Sequence, residues 1–291
     1  MYNSFIIHTK SLFLAFIIVM NRLLYILLIL SIFQGSLFSQ SRKRNFRQHE
    51  VGIFLGGAYY IGELNTTKHF NLTQPAAGVF YRFSPNYRYA FKGGFNFGTI
   101  MGDDSQSDNA DQLQRNLNFK SQLFEFNVMA EFNFLEYRIT NDKFKFTTYL
   151  FLGLDVFTFK PRANYTNQWI DLQPLRTEGQ ATSYKLTQIG IPFGIGVKIN
   201  VSKKVGIGLE WGPRKTFTDY LDDVSGKYPN SATTPFNSAL ASKLSDRSKN
   251  GGNNIDKQRG NPNNKDWYFF FGISLNFKLT PSNTPCHAYD H

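Results

Sequence analysis

The sequence has very little of the chemistry that cysteine and histidine supply. Its 291 residues include one cysteine, Cys286, and five histidines. One cysteine forms no internal disulfide and supplies no cysteine-rich zinc cluster. No cysteine follows the N-terminal apolar region, which excludes a lipid anchor on an N-terminal cysteine. Zinc-ligand spacings, a P-loop and a nucleophile elbow are also missing, so we expect no cofactor and no metal.

Charged residues are scarce as well, at 18% of the chain, whereas aromatic residues reach 16%, with 30 Phe and 15 Tyr. This composition is unlike that of a disordered chain and favours β-strands. The net charge is +11, but the basic residues are scattered rather than gathered on one helix. We therefore expect an anionic lipid surface or an acidic partner, and no nucleic acid.

The first 39 residues contain two apolar stretches, which Asn21 and Arg22 separate. From Met20 onward the order is that of a signal peptide: a basic residue, a short apolar run, and small polar residues before Gln40. A transmembrane hairpin formed by the two stretches is the alternative interpretation. We predict that translation starts at Met20, that 1–39 is a leader, and that the mature protein leaves the cytoplasm.

Beyond residue 48 the dominant hydrophobic period is two, which is typical of strands. Phe124, Phe126 and Val128, for example, alternate with Glu125 and Asn127. The pattern predicts eight strands, at about 49–60, 74–83, 87–99, 124–134, 144–159, 184–200, 204–212 and 266–278.

Short and long connections alternate between these strands. The short ones are 84–86, 136–143 and 201–204, and the long polar ones are about 61–73, 100–118, 160–183 and 213–265. This layout predicts an all-β protein: an eight-stranded antiparallel transmembrane β-barrel with short periplasmic turns and long extracellular loops. The predicted organisation after the leader is a basic periplasmic segment at 40–48, the barrel at 49–279 and a periplasmic tail at 280–291.

A water-soluble barrel of the lipocalin type, with its apolar face inward, is the alternative fold. The leader, the aromatic residues near strand ends and the mixed charges of the polar face favour the membrane barrel. Those charges are Arg88, Lys92, Lys198 and Lys278 together with Glu125, Glu131, Asp155 and Glu210. Eight strands enclose room only for side chains, so we predict a plugged interior and no transport through it. Pro192 predicts a bulge in the sixth strand, because it cannot donate to the ladder.

The search for catalytic residues finds one candidate, His69, in the first long loop, where a solvated side chain is the alternative interpretation. The acidic stretch 102–112 lacks the spacing of an EF-hand and is interpreted as a solvated loop. The polar stretch 242–264 predicts a mobile outer loop. Before the first strand, Arg42, Lys43, Arg44 and Arg47 form either a solvated leader or a docking arm for an acidic partner.

Residues 211–228, WGPRKTFTDYLDDVSGKY, crowd three aspartates close to two basic residues. Such a cluster would suit acid–base chemistry or a metal site, but no histidine accompanies it. We interpret it as the rim of the barrel: Trp211 at the lipid interface, Pro213 ending the strand, and 220–224 forming a short helical turn. Arg214 and Lys215 are expected to pair with the aspartates.

Three stretches resemble the PorG-like outer-membrane barrels of Bacteroidetes, a component of the type IX secretion system. They are LGGAYYIGELN at 55–65, the 211–228 stretch, and QRGNPNNKDWYFFFGISLNF at 258–277. The positions that match the family pattern are Gly57, Tyr60, Gly62, Leu64, Asn65, Trp211, Gly212, Arg214, Thr218, Asp219, Tyr220, Asp222, Asp223, Tyr228, Arg259, Gly260, Asp266 and Tyr268. Glu63 stands where the family pattern has Asp.

The resemblance implies a non-enzymatic outer-membrane protein that associates with periplasmic ring subunits, secretes cargo with C-terminal sorting signals and, in gliding species, serves motility. Its implied partners are outer-membrane lipid and the ring subunits, with no small-molecule substrate. The alternative is a surface barrel that acts through its long loops as an adhesin or a lipid-modifying enzyme.

Overall fold

The structure, a computed structural model, describes residues 47–140, 145–230, 236–249, 251 and 254–279. The predicted leader, the basic residues Arg42, Lys43 and Arg44, and the tail at 280–291 lie outside the described residues. Among the described residues, no helix is long and apolar enough to cross a membrane.

The eight predicted strands are confirmed, and a ninth, very short strand joins them. Their bounds are β1 Gln48–Ile61, β2 Gln74–Ser84, β3 Tyr89–Asp103, β4 Asn118–Asn133, β5 Phe146–Tyr165, β6 Gln168–Asp171, β7 Thr187–Asn200, β8 Val205–Thr216 and β9 Trp267–Lys278. Each long strand pairs antiparallel with its neighbours, β1 pairs with β9, and β4 pairs with β5, so the sheet is a closed eight-stranded barrel. β6 pairs only with the last residues of β5. The two form a hairpin beyond the part of β5 that pairs with β7.

The alternation in sequence decides which side of each strand faces outward. On β4, Phe124 and Val128 are more than half exposed, whereas Glu125 and Glu131 are buried. The apolar face therefore points outward on every side of a closed sheet, and the alternative of an inward apolar face is wrong. One residue predicted for the polar face is wrong. Arg88 lies exposed in the turn after β2, whereas Arg82 is buried inside the barrel.

Pairs of opposite charge fill the interior. Glu131 lies between two buried cations, 2.9 Å from Arg82 Nε and paired with Lys198 Nζ. A second pair joins Lys92 Nζ to Glu210 at 2.6 Å. The void beside that second pair measures about 10 Å³, which is room for one water molecule at most. This packing agrees with the predicted plugged interior.

The predictions of a bulge at Pro192 and of a strand end at Pro213 are both wrong. The registers on both sides of Pro192 are the same, so no extra residue is inserted and there is no bulge. Pro213 does not end β8, which continues to Thr216 through its pairing with β9. Pro192 falls in a gap of the β5–β7 pairing, and Pro213 falls in a gap of the β7–β8 pairing. Each missing N–H group therefore lies where one neighbouring strand is not paired.

The long loops contain short helices, α1 at Ala110–Arg115 and α2 at Ala239–Ser245, and two 3₁₀ turns at Asp104–Gln106 and Gln173–Leu175. Asn109 caps α1 and Ser238 caps α2 through their side-chain oxygens. The acidic stretch 102–112 is folded and solvated only in part: Asp104 is fully buried, whereas Asp108 and Asp111 are exposed as predicted. The stretch predicted to be mobile also packs, since Leu244 and Arg259 are both buried.

Candidate functional site

The loops at the outer end of the barrel, the end with the long connections, fold into a lid that we call the outer cap: residues 62–67, 172–186, 217–229 and 254–266. Its apolar residues complete a core above the charged interior. Leu64, Leu221 and Val224 pack there with Phe119 of β4 and Tyr268 of β9. The lid therefore has a hydrophobic layer of its own, which holds the loops over the mouth of the barrel.

The first motif forms the turn that leaves β1. Gly62 and Asn65 exchange backbone hydrogen bonds of 3.0 and 3.2 Å. The Asn65 amide donates to the carbonyls of Tyr60 and Lys68, at 2.7 and 2.8 Å, and so fixes the turn from inside. A Cβ at Gly62 would lie 2.0 Å from Tyr60 Oη and 2.1 Å from Asp266 Oδ1, so this position has no room for a side chain.

Tyr60 connects the three motifs. Its hydroxyl lies 2.6 Å from Asp222 Oδ2 and 3.0 Å from Asp266 Oδ1. Glu63 completes what we call the acidic trio, Glu63, Asp222 and Asp266, in which each residue offers an oxygen within 4.8 Å of the others. Residues separated by up to 206 positions in the chain thus meet at one point.

The trio is strained electrostatically. Burial, followed by the charge of Glu63, holds the pKa of Asp222 well above its ordinary value. Burial and then the charges of Asp222 and Glu63 do the same to the pKa of Asp266. Burial raises the pKa of neighbouring Asp219 to about 7. Carboxylates this close to one another favour bound protons or a bound cation.

Asp223 points away from the trio and belongs to a second, well-paired group. It accepts hydrogen bonds from Thr177 and, at 2.7 Å, from Tyr184. Arg259 donates to the Asp223 carbonyl at 2.5 Å and to Glu178 at 2.9 Å. Burial would lower the pKa of Arg259, but Glu178 and Asp223 raise it above its ordinary value. This group ties 172–186 to the two motifs that follow.

The basic residues of the second motif do not pair with its aspartates, so that prediction is wrong. Arg214 points into the barrel, where its Nε lies 3.0 Å from Glu125 and shares that carboxylate with the Tyr268 hydroxyl. The Lys215 ammonium lies 4.4 Å above the Trp267 ring. Successive strand residues face opposite sides, so neither cation at the end of β8 reaches the loop.

The predicted helical turn at 220–224 is also wrong. The Asp223 N–H donates to the Tyr220 carbonyl at 3.2 Å, which closes a single tight turn. Asp223 then takes a φ of 66°, a left-handed conformation that Asp tolerates and that ends the turn. The Tyr220 ring stacks on Tyr184 at 4.5 Å.

The remaining motif residues have structural positions. Trp211 donates from its indole nitrogen to the Tyr59 hydroxyl at 3.0 Å, beside the outward-facing Phe269. The Thr218 carbonyl accepts from the Asp266 N–H at 3.1 Å, and the Tyr228 N–H donates to the Lys257 carbonyl at 3.0 Å. Five further motif residues are buried, either in the barrel wall or in the outer cap: Gly57, Leu64, Gly212, Gly260 and Tyr268.

His69 lies on the outer surface among aromatic rings. Its Nδ1 is 3.1 Å from the Tyr59 hydroxyl, and its ring meets Phe269 edge-on at 5.5 Å. Its hydrogen-bond partner is thus a tyrosine, where a catalytic histidine would pair with a serine or an acid. Of the basic arm, the described residue Arg47 is exposed, directly before β1 at the end with the short turns.

Sequence reasoning missed three residues that complete the cap: Asp104, Arg115 and Glu178. The Arg115 guanidinium makes two 2.8 Å contacts with Asp104 and donates to the carbonyls of Glu63 and Arg259. None of the three lies near a matched motif in sequence, and no local pattern marks them. A polar cleft of about 770 Å³ opens beside Glu63, with Lys215, Lys257 and Lys265 among its lining residues.

A closed antiparallel barrel with an apolar outer wall, a charged and filled interior and long loops at one end is a bacterial outer-membrane β-barrel. Its place is accordingly the cell outer membrane, where the outward aromatic and aliphatic side chains meet lipid.

The chain belongs to a family that is described as a domain of unknown function, DUF6089, whose model matches residues 24–290. No curated protein matches the chain in sequence.

Similar solved structures are other small barrels. Ail, the attachment invasion locus protein of Yersinia pestis, in complex with the heparin analogue sucrose octasulfate, is 10% identical with a TM-score of 0.39, covering 80% of this chain and 99% of its own. Neisserial surface protein A is 10% identical with a TM-score of 0.37, covering 79% and 97%. The N-terminal barrel domain of OprF from Pseudomonas aeruginosa is 9% identical with a TM-score of 0.35, covering 80% and 100%.

Proposed function

We propose that this barrel is a non-enzymatic component of the type IX protein secretion system, which couples the periplasmic ring complex to the outer membrane. The observation that supports the proposal is the convergence of all three family-like motifs in one structural unit. Tyr60, Asp222 and Asp266, one from each motif, are joined by hydrogen bonds where β1 meets the outer cap. The resemblance therefore rests on residues that act together, rather than on three unrelated short matches.

The filled interior supports a coupling role over a conducting one. Four buried cations pair with four buried glutamates: Arg82, Lys92, Lys198 and Arg214 with Glu50, Glu125, Glu131 and Glu210. Displacing them would leave unpaired charges in a low-dielectric interior, which is costly. Such a barrel serves as a rigid anchor, with its periplasmic end free to bind a partner.

The basic arm is the segment that we assign to that partner. Arg42, Lys43, Arg44 and Arg47 bring four positive charges shortly before the first strand in the sequence, and the described Arg47 lies at the end with the short turns. An acidic surface on a ring subunit would attract them over about 10 Å at moderate salt.

Deletion of the gene tests the proposal. We expect secretion of cargo proteins with C-terminal sorting signals to stop, and affinity purification of the tagged protein to recover ring subunits. Replacing the four arm residues with Ser should reduce that recovery while the barrel still assembles. A matched control replaces Lys185, Lys249, Lys257 and Lys265 of the outer loops, and should leave recovery unchanged. Normal secretion in the deletion strain would refute the proposal.

A surface-binding role is the second candidate, and the polar cleft beside Glu63 favours it. Three lysines and several asparagines line this cleft, which suits an acidic or sugar-rich ligand outside the cell. Removing 229–256 tests the adhesin version, because the bond from the Tyr228 N–H to the Lys257 carbonyl already holds the remaining ends together. The enzyme version predicts that His69→Ala abolishes lipid modification, whereas a secretion component should tolerate that substitution.

A further inference from the structure

The acidic trio has more acceptors than donors. Asp222 accepts from the Val224 N–H at 2.9 Å, and Asp266 accepts from the Leu221 N–H at 2.9 Å. The Asn261 N–H makes a long contact of 3.4 Å with Glu63 Oε1. Beyond these three amides, the Tyr60 hydroxyl has a single proton for the two carboxylates that it touches. Glu63 Oε2 is buried and has no hydrogen-bond partner.

No basic side chain forms an ion pair with the trio within the described residues, although the charge of Arg115 acts on Glu63 and Asp222. The nearest guanidinium, that of Arg115, is engaged with Asp104 and with two backbone carbonyls. The ion pairs of the described chain include none of the three carboxylates. Two or more negative charges within about 5 Å in a buried setting repel one another strongly.

A fourth carboxylate, that of Asp219, lies near the trio without belonging to it. Asp219 is 2% exposed, and neither of its oxygens makes a hydrogen bond of normal geometry, although Ser225 lies nearby. Its carboxylate is close enough to Glu63 and Asp266 for mutual repulsion. An acidic side chain that is buried and left without a partner beside three others points to a ligand that supplies positive charge.

We propose that Glu63, Asp222 and Asp266, with Asp219 beside them, form a Ca²⁺ site that fastens the outer cap. Carboxylate oxygens are the ligands that Ca²⁺ prefers, and it accepts irregular sets of six to eight oxygens that include water and carbonyls. Half-buried Glu63 also lines the polar cleft, which gives the ion a route from outside. The ion would bridge the turn after β1, the loop after β8 and the residue before β9.

The inference concerns the stability of the cap and does not depend on a role in secretion. The sequence predicts no metal site, since the trio has no regular spacing and is assembled only when the barrel closes. We expect an affinity in the range of extracellular Ca²⁺ modules, a dissociation constant of about 10⁻⁴–10⁻³ M.

The test uses the full folded protein in detergent micelles, stripped with a chelator and titrated with Ca²⁺. We expect saturable heat of binding in calorimetry, and a rise in the temperature at which the folded, fast-migrating gel band is lost. Glu63→Gln keeps the size of the side chain and should weaken Ca²⁺ binding by about tenfold or more, because one charged ligand is removed. Asp266→Asn should do the same if it folds.

Two matched controls separate the site from general electrostatics. Asp108 is an exposed acid of the outer loops, and Asp108→Asn should leave Ca²⁺ binding unchanged. Glu178 is a buried acid paired with Arg259, so Glu178→Gln should lower the melting temperature without removing the increment that Ca²⁺ adds. If wild-type protein shows no Ca²⁺ effect, or if Glu63→Gln binds Ca²⁺ equally well, the carboxylates are held by protons and the proposal is overturned.

Discussion

At the scale of single residues, what matters most is which partner each charge finds. Arg214 and Lys215 are adjacent, yet one lies inside the barrel against Glu125 and the other lies over an aromatic ring at its rim. The strand reverses the direction of successive side chains, so neighbours in sequence have unrelated environments. Two substitutions measure this difference.

Arg214→Met should destabilise the protein by about 3–5 kcal/mol, because it leaves Glu125 buried without its cation. Lys215→Met is the control, since it removes a charge that is bound only to a ring face, and it should cost about 1 kcal/mol or less. Urea unfolding in micelles, followed by tryptophan fluorescence, measures both. Equal losses would mean that the buried pair contributes no more than the contact at the rim.

Gly62→Ala should loosen the outer cap, because the added methyl would meet Tyr60 and Asp266 at about 2 Å. We expect a loss of about 1–3 kcal/mol and faster trypsin cleavage in the outer loops. Gly226→Ala serves as the control, since its nearest new contact is an ordinary 3.6 Å. If the two variants are cleaved at the same rate, the turn after β1 is not a rigid part of the cap.

At the scale of elements, the strands continue beyond the lipid-facing band. β3 ends at Asp103, β4 begins at Asn118 and β5 reaches Tyr165, each several residues past the alternating apolar pattern. In these extensions the wall is held by the ladder and by contacts such as Arg162 with Asp171 at 2.8 Å. The apolar alternation is needed only where the outer face of the wall contacts lipid. The backbone hydrogen bonds of the sheet do not depend on lipid, so the strands continue beyond that band.

The outer helix α2 is predicted to be dispensable for the barrel. Replacing 229–256 with a short glycine-rich linker removes α2 and its Leu244 contacts, but keeps the paired ends Tyr228 and Lys257. We expect the variant to migrate as a folded, heat-modifiable band, with a melting temperature a few degrees lower. Failure to assemble would show that α2 is part of the folding core.

At the scale of the whole molecule, the closed barrel reverses the distribution of side chains that a soluble protein has: apolar side chains lie outside and charged side chains lie inside. Phe95 is 62% exposed, whereas Lys198 is 1% exposed. In a bilayer the first contacts lipid and the second is shielded from it, so both positions are favourable. A single substitution on the wall tests this inversion.

Phe95→Arg should cost about 2–4 kcal/mol in a bilayer, because Phe95 lies near the middle of β3 and its side chain faces lipid. Phe217→Arg is the matched control: this phenylalanine is 52% exposed, close to the 62% of Phe95, but it lies just beyond the end of β8 at the side with the long loops. Folding into lipid vesicles, scored by the heat-modifiable band, should fall for the first variant only. Equal folding of both would contradict a lipid-facing wall.

The sequence by itself determined the strands, their faces and the alternation of short and long connections. These features are local. A period of two over about ten residues arises because the strand is pleated and only one of its two faces contacts lipid. Two local predictions still failed at Pro192 and Pro213, because a missing N–H disrupts a ladder only where the partner strand needs it.

The tertiary structure alone decided how the outer cap is joined. Tyr60 and Asp266 lie 206 positions apart, and they meet because β1 closes the barrel against β9. The pairing of Arg259 with Glu178 likewise joins residues that are far apart in the chain, and within the described residues no ion pair includes the acidic trio. Charge in the sequence indicated that the aspartates needed a partner, but only the closed barrel determined which residues lie within reach of them.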